Sequence, residues 1–161
     1  MRLKYVLPIV AVILLLSGVA ILTMVLWTTN DGFVRDISLK ENGTTRESLE
    51  FSANGLKPGD VREYTINLKG KSVGTYALSF DFVEVNSGAL KNYVDVALQY
   101  GDQTYNYKLC ELLEGKPVSF NCRIGGGTTV IKVIYSMSQD TGNEAQRTST
   151  DFTVNLTAEK F

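Results

Sequence analysis

From Val61 to the C-terminus, apolar residues recur at every second position, and this alternation restricts most of the chain to strands. In Val61–Lys69, Tyr64, Ile66 and Leu68 fall on one face, with Thr65 and Asn67 on the other. Gly74–Val85 groups Tyr76, Leu78, Phe80 and Phe82 against Ala77, Ser79 and Asp81. Asn92–Tyr100, Gln103–Leu109, Val118–Ile124 and Asp151–Ala158 repeat the pattern. Thr128–Ser138 is apolar on both faces, as a strand central to its sheet would be. Period two places successive side chains on opposite sides of a pleated strand, and β-branched and aromatic residues suit that half-buried surface.

Turn-forming residues separate these runs: Lys57-Pro58-Gly59-Asp60, Asn86-Ser87-Gly88, Gly101-Asp102, Gly125-Gly126-Gly127 and Asp140-Thr141-Gly142-Asn143. Two weaker runs, Phe33–Lys40 and Ser48–Ala53, bring the expected total to about nine strands, and Cys110–Gly115 reads as a helical turn. Regularly spaced strands without a long amphipathic helix predict an all-β fold, an antiparallel β-sandwich over residues 33–161.

The first residues follow a different rule. Tyr5 to Trp27 carry no charge and are dense in Leu, Ile and Val. Roughly 20 such residues in a helix cross a ~30 Å hydrocarbon layer. Arg2 and Lys4 precede the run and Asp31 follows it, which predicts a cytoplasmic N-terminus and an extracellular remainder. The expectation is therefore a signal anchor over residues 1–27, a tether over 28–32 and an exported domain after it. A cleaved signal peptide, cut near Gly18 or Ala20, is the competing reading. The whole chain has 16 Lys+Arg and 17 Asp+Glu; without Arg2 and Lys4 the remainder has 14 against 17, a net charge of -3. That balance gives no basis for a nucleic-acid partner.

Catalytic chemistry is poorly supplied. The chain has no histidine, which removes Ser-His-Asp and Cys-His pairs and the usual zinc-hydrolase ligands. Gly125-Gly126-Gly127 links two strands and does not open a helix, so it does not read as a phosphate loop. Asp81, Glu84 and Asp95 are the carboxylates that an acid-base pair would draw on, with surface solvation as the alternative. The reading is a non-enzymatic protein with no cofactor.

Two other groups stand out. Cys110 and Cys122 are the two cysteines, and export would permit a disulfide between them; two buried free thiols are the other possibility. Asp140, Asn143 and Glu144 surround Gly142 in a polar loop, which offers oxygen ligands for calcium or simply a sheet-crossing turn.

Three segments in order resemble the TasA/camelysin family of exported Gram-positive surface and biofilm-matrix proteins. They are Leu56-Lys57-Pro58-Gly59-Asp60 before an alternating strand, Glu111-Leu112-Leu113-Glu114-Gly115-Lys116-Pro117-Val118, and Thr141-Gly142-Asn143-Glu144-Ala145-Gln146 ahead of Phe152–Ala158. The resemblance implies a jelly-roll sandwich that assembles into fibres, with an N-terminal strand of one subunit completing the sheet of the next. Phe33–Lys40 would be that donor, or else a first strand within its own sandwich. Ile21–Trp27 stay apolar where family signal peptides end, and the cysteine pair is not a feature of the fibre formers. The absence of histidine argues against the metalloprotease activity ascribed to some relatives.

The expected role is thus a structural or interaction module of the cell envelope or biofilm matrix, with protein partners or self-assembly. A recognition domain that binds a glycan or partner protein within a larger membrane complex is the alternative.

Overall fold

The alternating runs form nine strands in a computed structural model that describes residues 33–142, 144–145 and 148–161. The anchor expected over residues 1–27 and the tether over 28–32 lie outside the described residues. No helix among the described residues is long and apolar enough to cross a membrane.

The strands are β1 (Phe33–Ser38), β2 (Thr44–Ser52), β3 (Val61–Lys69), β4 (Gly74–Asn86), β5 (Val94–Tyr100), β6 (Gln103–Lys108), β7 (Val118–Ile124), β8 (Thr128–Met137) and β9 (Asp151–Lys160). A 3-10 turn, Ala89–Tyr93, precedes β5, and a short helix α1 (Leu109–Glu114) joins β6 to β7. One sheet has five strands in the order β1-β3-β8-β5-β6, and the other has four in the order β2-β9-β4-β7. Every described connection between strands crosses from one sheet to the other except β5–β6, which is a hairpin. Setting β1 aside, this interleaving is the connectivity of a jelly roll.

One expectation needs correction. The sandwich is not wholly antiparallel, because β1 lies parallel to β3, with Phe33 opposite Tyr64 and Ser38 opposite Lys69. Within its own chain, Phe33–Ser38 is an edge strand. Only Ile37 of this strand is buried, and the following Leu39 donates its N–H to the Lys69 carbonyl at 2.8 Å.

The core lies between the sheets and is built from the alternating residues. Tyr76, Leu78, Phe80 and Phe82 of β4 face Val94, Val96 and Leu98 of β5 and Ile131, Val133 and Tyr135 of β8, with Phe152, Val154 and Leu156 of β9 completing the layer. Burying one such side chain contributes about 1.5–3 kcal/mol. At the β3 side the rings of Phe51, Tyr64, Tyr135 and Phe152 cluster, the Phe51–Tyr64 centroids being 4.5 Å apart.

Two glycines are dictated by geometry. Gly101, at φ +56°, takes the first central position of the two-residue β5–β6 turn, a conformation that suits a type II′ hairpin. A Cβ on Gly88 would stand 1.6 Å from the Ser149 carbonyl oxygen, so the chain passes there only without a side chain. Thr150 locks the same crossing, donating its hydroxyl to the Gly88 carbonyl at 3.1 Å.

Candidate functional site

Alternation turns one set of side chains inward and leaves a second set to form the outer surface of each sheet. On the five-stranded sheet the outward set mixes polar side chains with Val34, Val61, Val130 and Ile134, and its charges are matched across strands. Lys132 of β8 bonds Glu63 of β3 at 2.8 Å, Lys108 of β6 reaches Asp95 of β5, and Lys69 of β3 reaches Asp36 of β1. The bonds from Lys69 and Asn67 to the Asp36 carboxylate hold its pKa below the ordinary value of 3.8. These pairs are exposed, where each contributes little to stability; their effect is to leave the face nearly neutral.

Two shallow depressions break this face. One, of about 420 Å³, is lined by Asp95, Ala97, Asn106, Lys108, Glu111 and Ile134 among others. The other, of about 500 Å³, lies between Gln99, Tyr100, Arg123, Thr129 and Lys132. The Tyr100 hydroxyl fixes its rim by donating to the Arg123 carbonyl and accepting the Arg123 N–H, both at 3.2 Å.

The four sheet edges differ in chemistry. β1 carries Arg35 and Asp36, and β2 carries Arg46, Glu47 and Glu50. Charges of this kind blunt a strand edge against pairing with another chain. On the opposite flank, β6 (Gln-Thr-Tyr-Asn-Tyr-Lys) and β7 (Val-Ser-Phe-Asn-Cys-Arg-Ile) each hold a single charge, at or next to one end. Between them the rings of Tyr105 and Phe120 stack with centroids 5.3 Å apart, and Tyr100 joins Phe120 at 6.1 Å. Tyr105, Tyr107, Phe120 and Val118 are only partly buried against the core. Apart from Lys108 and Arg123 at the strand ends, this flank is therefore uncharged, aromatic and half open.

No disulfide is found between the cysteines, and both are free thiols. Cys122 is buried opposite Tyr76, and burial pushes its thiol pKa up to about 11; Cys110 on α1 is half-exposed.

The expected calcium ligands are not brought together by what is described. Asn143 lies outside the described residues, while Asp140 and Glu144 are exposed. No group of three His, Cys, Asp or Glu side chains among the described residues is placed to hold a metal ion. The loop carries the chain from β8 in one sheet to β9 in the other, and Ala145 tucks into the core. Nor do the three carboxylates meet: Asp81 points outward from the four-stranded sheet, Asp95 outward from the five-stranded one, and Glu84 bonds Lys91 at 3.1 Å.

Sequence reasoning missed the β6–β7 flank. Its signal is the uncharged run Gln103–Tyr107, but its position at an edge follows from sheet order, which no local pattern encodes.

No family model matches the chain, and no curated protein matches it. Similarity to TasA/camelysin proteins thus rests on the three sequence segments. Among solved structures, the chain is similar to a pre-peptidase C-terminal domain of collagenase from Bacillus anthracis, at 14% identity and TM-score 0.33, covering 79% of this chain and 97% of that one. It is also similar to a mutant of PliG from Escherichia coli, a periplasmic inhibitor of g-type lysozyme, at 13% identity and TM-score 0.35, covering 80% and 99%. The CUB1-EGF-CUB2 region of rat MASP-1 matches at 16% identity and TM-score 0.38, covering 78% of this chain and 42% of that one. Likeness of this degree assigns neither a family nor an activity.

Proposed function

We propose that the chain is a non-enzymatic interaction module, carried outside the cell by its N-terminal apolar segment and acting through the surface of its β-sandwich. The observation that carries this reading is the contrast between flanks: β1 and β2 carry charges along their length, whereas β6 and β7 confine theirs to the strand ends and present a half-open aromatic edge. An edge left uncharged exposes main-chain donors and acceptors to another strand, and it is retained where pairing has a use. The net charge of -3 beyond the apolar segment and the self-neutralised outer face agree with a protein partner in preference to a polyanion. As a structural component of an envelope or matrix, the module would meet copies of itself or a fixed neighbour, with the apolar segment holding it at the membrane.

A second reading is favoured by the depression beside Tyr100 and Arg123. The side chains of Gln99, Thr129 and Lys132 line it with hydrogen-bonding groups that suit a glycan, which would make the chain a recognition domain of a larger membrane complex.

Self-association of the full chain in detergent micelles separates the two. A structural module gives oligomers that grow with protein concentration in light scattering. A chain that stays monomeric throughout, yet binds immobilised polysaccharide, would reverse the order of the two readings. Protease added outside intact cells should remove the β-domain in either case; protection there would overturn the exported orientation that both share.

A further inference from the structure

We infer that β6 is a self-complementary edge on which two copies of this chain pair antiparallel, about a dyad that passes beside Tyr105. The inference rests on the interaction-module reading and names its partner. The two-residue turn at Gly101-Asp102 closes on Tyr100 and Gln103, which face each other as the first pair of the hairpin. In such a hairpin that pair exchanges its main-chain hydrogen bonds, and the pattern then alternates. Gln103, Tyr105 and Tyr107 therefore direct their main-chain groups at β5, while Thr104 and Asn106 direct theirs away from the sheet. Lys108 ends the free run, because its N–H bonds the Glu111 carboxylate at 3.3 Å.

Face alternation limits how a second copy can dock, since residues opposed across the joint must point to the same side of the continuous sheet. In the register centred on Tyr105, Thr104 faces Asn106 of the second copy and Asn106 faces its Thr104, so both free main-chain pairs exchange their bonds. Asp102 then stands opposite Lys108 of the second copy, and Lys108 opposite its Asp102. The only two charges from Asp102 to Lys108 are thus matched reciprocally, as a two-fold interface demands. On the inner side the two Tyr105 rings meet and extend the stack over Phe120. Neither β1 nor β2 offers an edge that is uncharged between its ends in this way: β1 carries adjacent Arg35 and Asp36, and three charges lie along β2.

The test uses the full chain in detergent micelles with Cys110→Ser. Tyr105→Cys places the two thiols in a non-hydrogen-bonded pair, whose Cα separation of about 4.5 Å lies within disulfide range. Mild oxidation should convert this variant to a covalent dimer, at roughly tenfold the yield of Ser119→Cys on β7. Asn106→Pro removes an outward N–H without touching the β5 ladder, and should cut the Tyr105→Cys dimer roughly tenfold through the lost bonds. If that variant melts early, Asn106→Lys, which keeps the N–H and adds an edge charge, makes the same test. Oligomers captured by a lysine-reactive cross-linker, with no dimer through Tyr105→Cys, would overturn the β6 dyad and leave the interaction module standing. No cross-linked species at any concentration would overturn both the dyad and self-assembly of the module.

Discussion

The Tyr135 hydroxyl on β8 lies 3.0 Å from the Tyr64 hydroxyl on β3, and it donates across the sandwich to the Ser52 carbonyl at 3.0 Å. Burial, reinforced by the bond to Tyr64, drives the Tyr135 pKa well above the ordinary phenol value. Arg62 supports the same point, donating to the Ser52 carbonyl at 3.1 Å. A polar contact thereby joins the two sheets inside an aromatic cluster.

Removing that hydroxyl and removing the one on Tyr76 should have opposite effects. Tyr135→Phe deletes a satisfied bond, but Arg62 still serves the Ser52 carbonyl, so the expected loss is about 1 kcal/mol. The Tyr76 hydroxyl is buried without a hydrogen-bond partner among the described residues. Tyr76→Phe should therefore be neutral or stabilising by up to about 1 kcal/mol. Denaturant midpoints of the two variants, measured side by side, check the signs.

Gly88→Ala should be among the costlier single-methyl changes. The added Cβ meets the Ser149 carbonyl at 1.6 Å, which forces the segment around Thr150 to move. Overpacking of this kind costs about 1–3 kcal/mol. A thermal melt reads it, and a melt unchanged from the parent would contradict so close a crossing.

The two thiols should differ in reactivity. At neutral pH an alkylating reagent should label Cys110 rapidly and Cys122 only on unfolding, because Cys122 is buried and its thiol is held protonated to about pH 11. A raised folded-state pKa stabilises the protonated form. That contribution is complete below the ordinary 9.0 and is lost as pH rises from there through about 11. Mass spectrometry of the labelled chain, with and without denaturant, checks the order of reaction.

The β1 edge should loosen in acid. Asp36 has its pKa lowered by Lys69 and Asn67, so its contribution is present above 3.8 and is lost as pH falls through the depressed folded-state value. Hydrogen exchange of β1 amides should rise over that range while β8 stays protected, and Asp36→Asn should abolish the pH dependence.

Strand positions were largely readable from the sequence. Val61–Lys69 and Val118–Ile124 have the bounds that alternation predicts, and Thr128–Met137, apolar on both faces, lies at the centre of its sheet. The start of β2 at Thr44 was hidden because its buried residue there is polar: Thr45 is held by the Lys40 N–H, which donates to its hydroxyl at 2.9 Å. Asn92 and Tyr93 belong to the 3-10 turn ahead of β5, where Leu90 is the buried residue, and alternation cannot register a turn. The parallel placement of β1 and the exposure of β6 depend on which strands meet across the fold. Pairing partners are set by the whole chain, so the flank that carries the functional proposal was illegible locally.

Amide exchange at Thr104 and Asn106 tests the central claim most directly, because these N–H groups point away from β5 in the single chain. In full-length protein reconstituted at rising surface density in vesicles, both amides should gain protection together, while those of β1 and β2 keep their dilute-state rates. Thr104 and Asn106 exchanging equally fast at every density would contradict an interaction module that works through its β6 edge.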